Sequence, residues 1–323
     1  MESEHKKSKF EECIELKDPE ILEKWRKEQD ILKEKLIKTD VYNWDINDYN
    51  DKDETKPKME LKYIGGMDIS ASKKDPNIAV SALVVCDRNL KIVYEDYKLV
   101  KMEEPYIPGF LAFREVNHLV DLINDLKKNA PQFLPQVILC DGNGILHVKG
   151  FGIASHLGVL ENIVTIGCSK NVFSVDGINR KMVKDLSKKY LIKGGDSYPL
   201  TGDSGTIWGY ALKSNDECIN PMIISIGHKI SNETALKIVK MSILHRVPQP
   251  IRLSDKISRK LISEYENFIK KNQPKEFDIK KILNENYNKF KNKKKWNYFL
   301  IILKIIKYLF FINIYLFYYL FYY

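Results

Sequence analysis

Cysteine is scarce in this sequence and is never closely paired. The 323 residues include five cysteines, an odd number, and none stands in a Cys-x-x-Cys arrangement. A disulfide framework needs paired cysteines, and a structural zinc site needs clustered thiolates or imidazoles, so neither is indicated. We therefore expect a protein of a reducing compartment, the cytoplasm or the nucleus, with the nucleolus included.

An apolar segment is missing near the N-terminus, whereas a long one stands at the C-terminus. The opening MESEHKKSKFEE has no apolar core, so we expect no signal peptide. Residues 296–323 are almost wholly apolar or aromatic and follow the basic run KNKKK. A membrane anchor is one interpretation, but Lys304 and Lys307 leave 16 uncharged residues, fewer than the roughly 20 that span a bilayer. We favour the alternative, compositional bias from an AT-rich coding sequence or a misjudged gene end.

A strong positive charge is also missing from most of the chain, although the formal net charge is +9. Residues 1–60 carry 13 basic and 18 acidic side chains, residues 61–255 carry 24 and 20, and residues 256–323 carry 15 and 5. The excess therefore sits mainly in a Lys-rich tail, which is more often a solvated segment than a binding patch. Charge alone does not indicate a nucleic-acid partner.

The hydrophobic pattern predicts one α/β domain on a mixed sheet. An amphipathic helix at residues 19–36 precedes an acidic loop or insertion at about 40–60. Three β-rich runs then follow with short connections, which predicts an antiparallel meander. Further strands alternate with helices from about residue 110, and two of these helices are predicted at 110–129 and 152–160. We expect a charged extension at 1–18, the domain at 19–265, and a Lys-rich, apolar tail of unknown role at 266–323.

Two aspartates close predicted strands of this sheet. Asp68 ends KYIGGMD and Asp141 ends QVILCD. Acidic residues at the ends of adjacent strands meet at one edge of an α/β sheet, where they repel each other unless a cation lies between them. Such hard oxygen ligands suit Mg²⁺ or Mn²⁺. The alternative for either aspartate is a turn or a helix cap.

Further candidate residues follow other predicted strands. The run DGNGILH is a weak dinucleotide fingerprint because His147 stands where a third glycine would be. Gly142 and Gly144 could instead let a flat ligand approach the backbone. Lys170 in TIGCSK and His228 in ISIGHK, like His147, are candidates for contact with phosphate or water. A surface or core role is the alternative for each.

The segment PYIPGFLAFRE combines a stiff turn with a carboxylate. An aromatic ring set between prolines, as Tyr106 is, loses little entropy when it stacks on a base, which suits a wedge. The alternative is a turn with the aromatic packed on the core. Glu115, two turns along the following helix, would bring a third carboxylate toward Asp68 and Asp141.

Several long motifs in one order resemble the endonuclease V family, whose members nick nucleic acid near inosine. They are PYIPGFLAFRE, DGNGILHVKGFGIASHLGVL, TIGCSK, GDSYPLTGDSGT and ISIGHKIS, and the resemblance runs from about Ile21 to Leu261. It implies a ribonuclease H-like fold, a mixed five-stranded sheet flanked by helices, with its first three strands antiparallel. It also implies Mg²⁺, or Mn²⁺ in its place, held by Asp68, Glu115, Asp141 and Asp255, and hydrolysis that leaves a 3′-hydroxyl and a 5′-phosphate.

The resemblance implies roles for other residues as well. His147 and Lys170 would act near the scissile phosphate, and we count His228 among the substrate-binding residues. The family's eukaryotic branch, to which DGNGILH looks closer, prefers inosine in single-stranded RNA, so we expect that substrate and a monomeric enzyme. Deoxyinosine repair in DNA, and a non-cleaving inosine-RNA-binding protein tethered by its tail, are the alternatives. The wedge would comprise Pro105, Tyr106, Ile107 and Pro108, and the hypoxanthine pocket would be lined by Gly109, Leu111, Gly142 and Gly144.

Overall fold

The computed structural model describes residues 19–46 and 59–272. The predicted extension at 1–18, the centre of the acidic insertion and the apolar tail lie outside these ranges. The chain divides into two units, Met1–Glu266 and Asn267–Tyr323, and the described part of the second is only the end of the last helix. Within the described ranges, no helix has the length and apolar character needed to cross a membrane.

One eight-stranded mixed sheet forms the centre of the first unit, beside a two-stranded parallel pair, β1 (Trp44–Asp45) and β2 (Met59–Glu60). The strand order across the large sheet is β5-β4-β3-β6-β7-β10-β9-β8. Every residue of β4 except the last is buried, as expected for a strand covered on both faces. The strands are β3 (Tyr63–Ala71), β4 (Ile78–Asp87), β5 (Ile92–Lys101), β6 (Val137–Asp141), β7 (Val164–Ser169), β8 (Ser197–Thr201), β9 (Ile207–Leu212) and β10 (Met222–His228).

The predicted antiparallel meander is confirmed, whereas the predicted number of strands is wrong. β3, β4 and β5 pair antiparallel in sequence, and β6 and β7 add to β3 in parallel, which gives the five expected strands. Three more strands extend the sheet beyond β7 because β10 pairs antiparallel with it and carries the β8–β9 hairpin. The edge strand β8 contains Pro199, a residue that edge strands tolerate and that weakens a strand prediction.

Helices cover both faces of the sheet. The helices are α1 (Pro19–Glu34), α2 (Leu111–Asn129), α3 (Ile153–Glu161), α4 (Arg180–Tyr190), α5 (Asn232–Met241) and α6 (Gln249–Asn272). One face packs against α2 and α3 through a cluster that includes Leu122 and Leu157, and the other packs against α5 and the start of α6 through Ile238 and Ile251. The predicted apolar stripe of α1 is also present: Trp25 is buried and stacks on Phe113 of α2 with the ring centroids 5.1 Å apart.

One edge of the sheet collects the ends of most strands. Because β3, β6 and β7 are parallel, their C-terminal ends lie side by side at this edge. β10 is antiparallel to β7, so it begins here, with Ile223 opposite Ser169, and β9 ends here, with Leu212 opposite Met222. β5 also ends at this edge, since its last residue pairs with the first residue of β4. We call this the C-terminal edge of the sheet.

Candidate active site

Three aspartates converge at the C-terminal edge. Asp141 ends β6 as predicted, and Asp255 lies in the second turn of α6. The prediction that Asp68 closes its strand is wrong, because β3 stays paired with β4 past Asp68 as far as Ala71. One carboxylate oxygen from each lies within 4.8 Å of the other two. α6 reaches this position because Gly66 on β3 has no side chain: a Cβ there would lie 2.1 Å from the carbonyl carbon of Pro250. The glycine thus brings Asp255 beside carboxylates that are more than 100 residues away in sequence.

Asp68 is buried and held by two hydroxyl groups. The Ser258 Oγ donates a hydrogen bond of 2.7 Å to Asp68 Oδ2, and the Ser70 Oγ donates one of 3.1 Å to the same atom. Burial raises the pKa of Asp68 to about 6, and the negative charges of Asp141 and Asp255 also raise it. The hydrogen bonds from the two hydroxyl groups lower the pKa and only partly offset these effects. Ionised Asp68 therefore needs further positive charge close by.

Glu115 reaches the aspartates from α2, which lies on the face of the sheet opposite to α6. It lies one turn into α2 and lines the same cavity of about 290 Å³ as Asp68, Asp141 and Asp255. Burial raises the pKa of Glu115 to about 8, and the charges of Asp68 and Asp141 add to the effect. The four residues that the sequence singled out as metal carboxylates are therefore brought together in one cavity.

Two cations partly neutralise this cluster. The Lys170 Nζ lies 2.7 Å from Asp141 Oδ2, and the Arg259 Nε lies 2.7 Å from Asp255 Oδ1. With all four carboxylates ionised, an excess of two negative charges would remain. A group of hard carboxylate oxygens with this excess fits a divalent cation such as Mg²⁺ or Mn²⁺, and the residues present therefore suit the metal that the sequence predicts.

The segment at Pro105–Pro108 presents one aromatic ring to solvent. Tyr106 is 57% exposed, whereas its neighbour Ile107 is 1% exposed and packs in a cluster with Leu22 and Phe110. The core residue of this segment is therefore the isoleucine and not the tyrosine. This geometry favours the wedge over the alternative of an aromatic packed on the core.

Arg114 fixes this segment to the rest of the domain. Its guanidinium is buried and donates to the carbonyl of Glu104 at 2.5 Å, to the carbonyl of Pro76 at 2.7 Å and to the Asn77 side chain at 3.1 Å. The segment before α2 is thus tied to the β3–β4 turn. Sequence reasoning missed Arg114 and Ser258, because nothing in a local pattern shows what a polar residue on a helix contacts.

The predicted pocket residues lie near the carboxylates, but two of the glycines have another explanation. Gly109 stands between the wedge and α2, and Leu111 lines the carboxylate cavity. A Cβ at Gly144 would lie 1.8 Å from the Ile226 carbonyl oxygen, and one at Gly142 would lie 2.5 Å from the Ile153 side chain. The protein itself fills the space beside each Cα, which explains both glycines without a ligand, and their place in a base pocket stays a prediction.

The two histidines differ in position. His147 is buried in the loop after β6, packs edge-on against Phe173 with the centroids 5.1 Å apart, and has a pKa lowered by burial to about 4. His228 ends β10, where it pairs with Thr165 near the start of β7, and its Nδ1 accepts a hydrogen bond of 3.3 Å from the Ile37 amide. The grouping of His228 with the substrate-binding residues is therefore wrong: an antiparallel strand ends at the opposite edge of the sheet.

Known proteins share both the sequence and this fold. A family model described as Endonuclease V matches residues 47–256. Endonuclease V of Mus musculus is 41% identical over 245 residues, which are 75% of this chain and 70% of the mouse protein. Endonuclease V of Homo sapiens is 39% identical over 245 residues, which are 75% of this chain and 84% of the human protein.

Among solved structures, the crystal structure of Ciona intestinalis endonuclease V has a TM-score of 0.68 at 36% identity. The alignment covers 77% of this chain and 100% of that one, and the Ciona protein is in complex with a 24mer DNA containing an inosine followed by a ribo-adenosine. The crystal structure of human endonuclease V has a TM-score of 0.69 at 38% identity, with 76% of this chain and 99% of that chain covered. The predicted ribonuclease H-like α/β class is confirmed, and the chain belongs to the endonuclease V family and is an endonuclease.

Proposed function

We propose that this endonuclease hydrolyses a phosphodiester bond 3′ to inosine in single-stranded RNA and leaves a 3′-hydroxyl and a 5′-phosphate. The observation that carries the proposal is the convergence of Asp68, Asp141 and Asp255, with Glu115, in one cavity, together with the exposed ring of Tyr106 on the segment that leads into the helix of Glu115. A cluster of carboxylates can hold the metal for phosphodiester hydrolysis, and an exposed aromatic ring on the adjoining segment suits a base-recognising wedge.

The carboxylates would hold Mg²⁺, with Mn²⁺ able to replace it. Bound there, the metal would lower the pKa of the attacking water and neutralise the charge that grows on the leaving oxygen. Lys170 keeps Asp141 in place through its 2.7 Å contact, and the hydroxyl groups of Ser258 and Ser70 do the same for Asp68. His147 is neutral near pH 7 because burial lowers its pKa, so it offers a phosphate a hydrogen bond without a charge.

Recognition of inosine would rest on the wedge. A base must leave its stack to enter a pocket, and this costs least in a single strand or at a weak pair. The Tyr106 ring is exposed on a segment fixed by buried Ile107, so it can stack on a neighbouring base without a conformational change. Gly109 and Leu111 lie between the wedge and Glu115, where a displaced base would sit.

Two observations support RNA as the substrate. The chain is similar to mammalian relatives over three quarters of its length, in line with the eukaryotic character of DGNGILH. The Ciona intestinalis relative is crystallised with an inosine that is followed by a ribo-adenosine, which places a 2′-hydroxyl next to the inosine. That ligand is otherwise DNA, so deoxyinosine-containing DNA is the second candidate substrate. The retention of all four carboxylates disfavours a protein that only binds.

The test uses the full-length chain and end-labelled single-stranded RNA that carries one inosine. The reaction is run with Mg²⁺ or Mn²⁺, beside the same RNA with adenosine, the matching inosine DNA and the Asp141→Ala variant. We expect one cut 3′ to inosine in the RNA, a slower cut in the DNA, and no cut with adenosine or with the variant. Faster cleavage of the DNA would reverse the substrate assignment, and binding without cleavage in either metal would move the non-cleaving alternative to the front.

A further inference from the structure

A second cavity opens beside the carboxylate cluster. It has a volume of about 780 Å³ and is bounded by α4, by the loop after β7 and by the connection between β9 and β10. Lys170 lines this cavity, and its Nζ also contacts Asp141. Lys170 therefore connects this cavity with the carboxylates, and we call the cavity the basic groove because of the side chains that line it.

The charge of the basic groove is strongly positive. Two acidic residues also line it, Asp216 and Glu217, and the Asp216 carboxylate accepts a hydrogen bond of 2.7 Å from the Gly194 amide. Apart from Lys170, none of its cations forms an ion pair with a residue in the part of the chain that the structure describes. The cations are Lys170, Arg180, Lys184, Lys188, Lys213 and Arg246.

Half of these cations form one stripe on α4. Arg180, Lys184 and Lys188 are spaced four residues apart, so they lie one above the other on one face of the helix. Like charges at this spacing destabilise a helix, and Asp185, the one acidic residue of α4, is three residues from Lys188 and so can offset only that end of the stripe. A stripe that costs helix stability yet points into a cavity is typical of a binding surface for anions.

Two polar atoms at the far end of the groove lack partners. The Arg246 Nε and the Asn215 Oδ1 are buried, and neither has a hydrogen-bond partner within the described residues. Both residues line an adjoining recess of about 450 Å³, and Arg246 also lines the groove. Buried polar groups normally have partners, so an extended ligand that supplied a phosphate oxygen and a donor would satisfy both.

The groove lies on the side of the carboxylates away from the wedge. Along the C-terminal edge the order is the end of β5, which leads to the wedge, then β3 and β6 with the aspartates, then β7 with Lys170, and then β10 and β9. Lys213 directly follows β9 and is three strands from Asp141, about 15 Å at the usual strand spacing. A strand cut 3′ to a base held at the wedge would pass the carboxylates in this direction.

We propose that the basic groove binds the phosphate backbone of the substrate strand on the 3′ side of the cut. This inference rests on the proposed function, because that function gives the strand its direction. A phosphate backbone is the ligand that fits the positive charge of the groove and the position of Lys170, which lines the groove and contacts Asp141. The groove reads no base; it extends the bound length of the strand and makes binding depend on the length of the 3′ flank.

The test compares Lys184→Glu with the matched control Lys181→Glu in the full-length chain. Both residues are exposed on α4, but only Lys184 lines the groove. Binding is measured by fluorescence anisotropy in EDTA, so that no cleavage occurs, with single-stranded RNAs that carry inosine and a 3′ flank of about two or about twelve nucleotides, a range set by usual site sizes. Matching RNAs with adenosine, and a second pair that varies only the 5′ flank, complete the set.

We expect Lys184→Glu to weaken binding of the long 3′ flank several-fold, with a smaller effect as that flank shortens. The slope of log affinity against log salt should fall by about 0.7 for each phosphate that the variant no longer neutralises. Lys181→Glu should change neither, and inosine and adenosine RNAs should show the same flank dependence. Equal effects of the two variants, no effect of either, or a dependence on the 5′ flank would overturn the proposal. Absence of inosine-specific cleavage in the wild type would count against the proposed function alone, because the flank dependence is measured without cleavage.

Discussion

Replacing Asp68 with asparagine should stabilise the metal-free protein while it abolishes cleavage. Burial raises the pKa of Asp68 from 3.8 to about 6, so the folded protein loses stability relative to the unfolded chain as pH rises through this range. The difference between the two values, at about 1.36 kcal/mol for each pH unit, amounts to about 3 kcal/mol above pH 6. Asparagine has no charge to bury, and its side-chain oxygen can still accept the hydrogen bond from Ser258.

The free energy of unfolding is measured by urea denaturation in EDTA from pH 4 to pH 8. We expect Asp68→Asn to match the wild type near pH 4 and to exceed it by up to about 3 kcal/mol at pH 7.5. Asp185→Asn, at an exposed aspartate on α4, is the control for the same substitution away from the carboxylate cavity. Added Mg²⁺ should stabilise the wild type more than the variant, because a bound ligand stabilises the folded state to an extent set by its affinity. A variant less stable than the wild type at pH 7.5 in EDTA would refute this account of Asp68.

Three further substitutions test the role of the exposed ring of the wedge, of a histidine at the opposite edge of the sheet, and of the arginine that holds the wedge in place. Tyr106→Ala should weaken binding of inosine RNA by about 1–3 kcal/mol in anisotropy titrations and leave the unfolding midpoint unchanged, because the ring is exposed. His228→Leu should lower stability by about 1–3 kcal/mol, since the Ile37 amide loses its acceptor, with an unchanged single-turnover cleavage rate. Arg114→Met should reduce the free energy of unfolding by about 3 kcal/mol, because the carbonyl groups of Glu104 and Pro76 lose their donor. It should also reduce the ratio of the cleavage rate for inosine RNA to that for adenosine RNA. Loss of stability with an unchanged ratio would mean that Arg114 does not position the wedge.

The sequence predicts most elements of this fold because their patterns are local. The strands β3, β4 and β6 are short runs rich in apolar and β-branched residues, and the apolar stripe of α1 repeats at helical spacing. The predicted helices at 110–129 and 152–160 differ by at most one residue at either end from the observed Leu111–Asn129 and Ile153–Glu161. These signals depend on neighbours a few residues apart, which a single sequence contains.

The direction of a strand within the sheet is not a local property. The ends of β6 and β10 look alike in sequence, an apolar run followed by a polar residue, and both invited the same interpretation. β6 is parallel to β3 and brings Asp141 to the C-terminal edge, whereas β10 is antiparallel to β7 and takes His228 to the other. Pairing direction depends on how the chain returns to the sheet, and the pattern of one strand does not contain it.

Asp255 shows the same limit for the active site. Nothing around it marks a metal ligand, and only the resemblance to the endonuclease V family singled it out. Its place beside Asp68 depends on the close approach of α6 to Gly66, a contact between residues more than 180 positions apart. Asp68 and Asp141 were predictable because each follows an apolar run that forms a central strand, although only Asp141 ends its strand and β3 continues past Asp68 to Ala71.

Helix α2 connects the proposed wedge to the carboxylates. The wedge lies immediately before it, Arg114 ties that segment to the β3–β4 turn, and the next residue, Glu115, lines the carboxylate cavity. Because a helix rises 1.5 Å per residue and is stiff over one turn, the distance between the wedge and Glu115 is constant. A base held at Tyr106 would therefore set which phosphate reaches the carboxylates. Under the proposed function, the spacing within PYIPGFLAFRE would then set the position of the cut relative to inosine, without any contact to the base on the 3′ side of the cut.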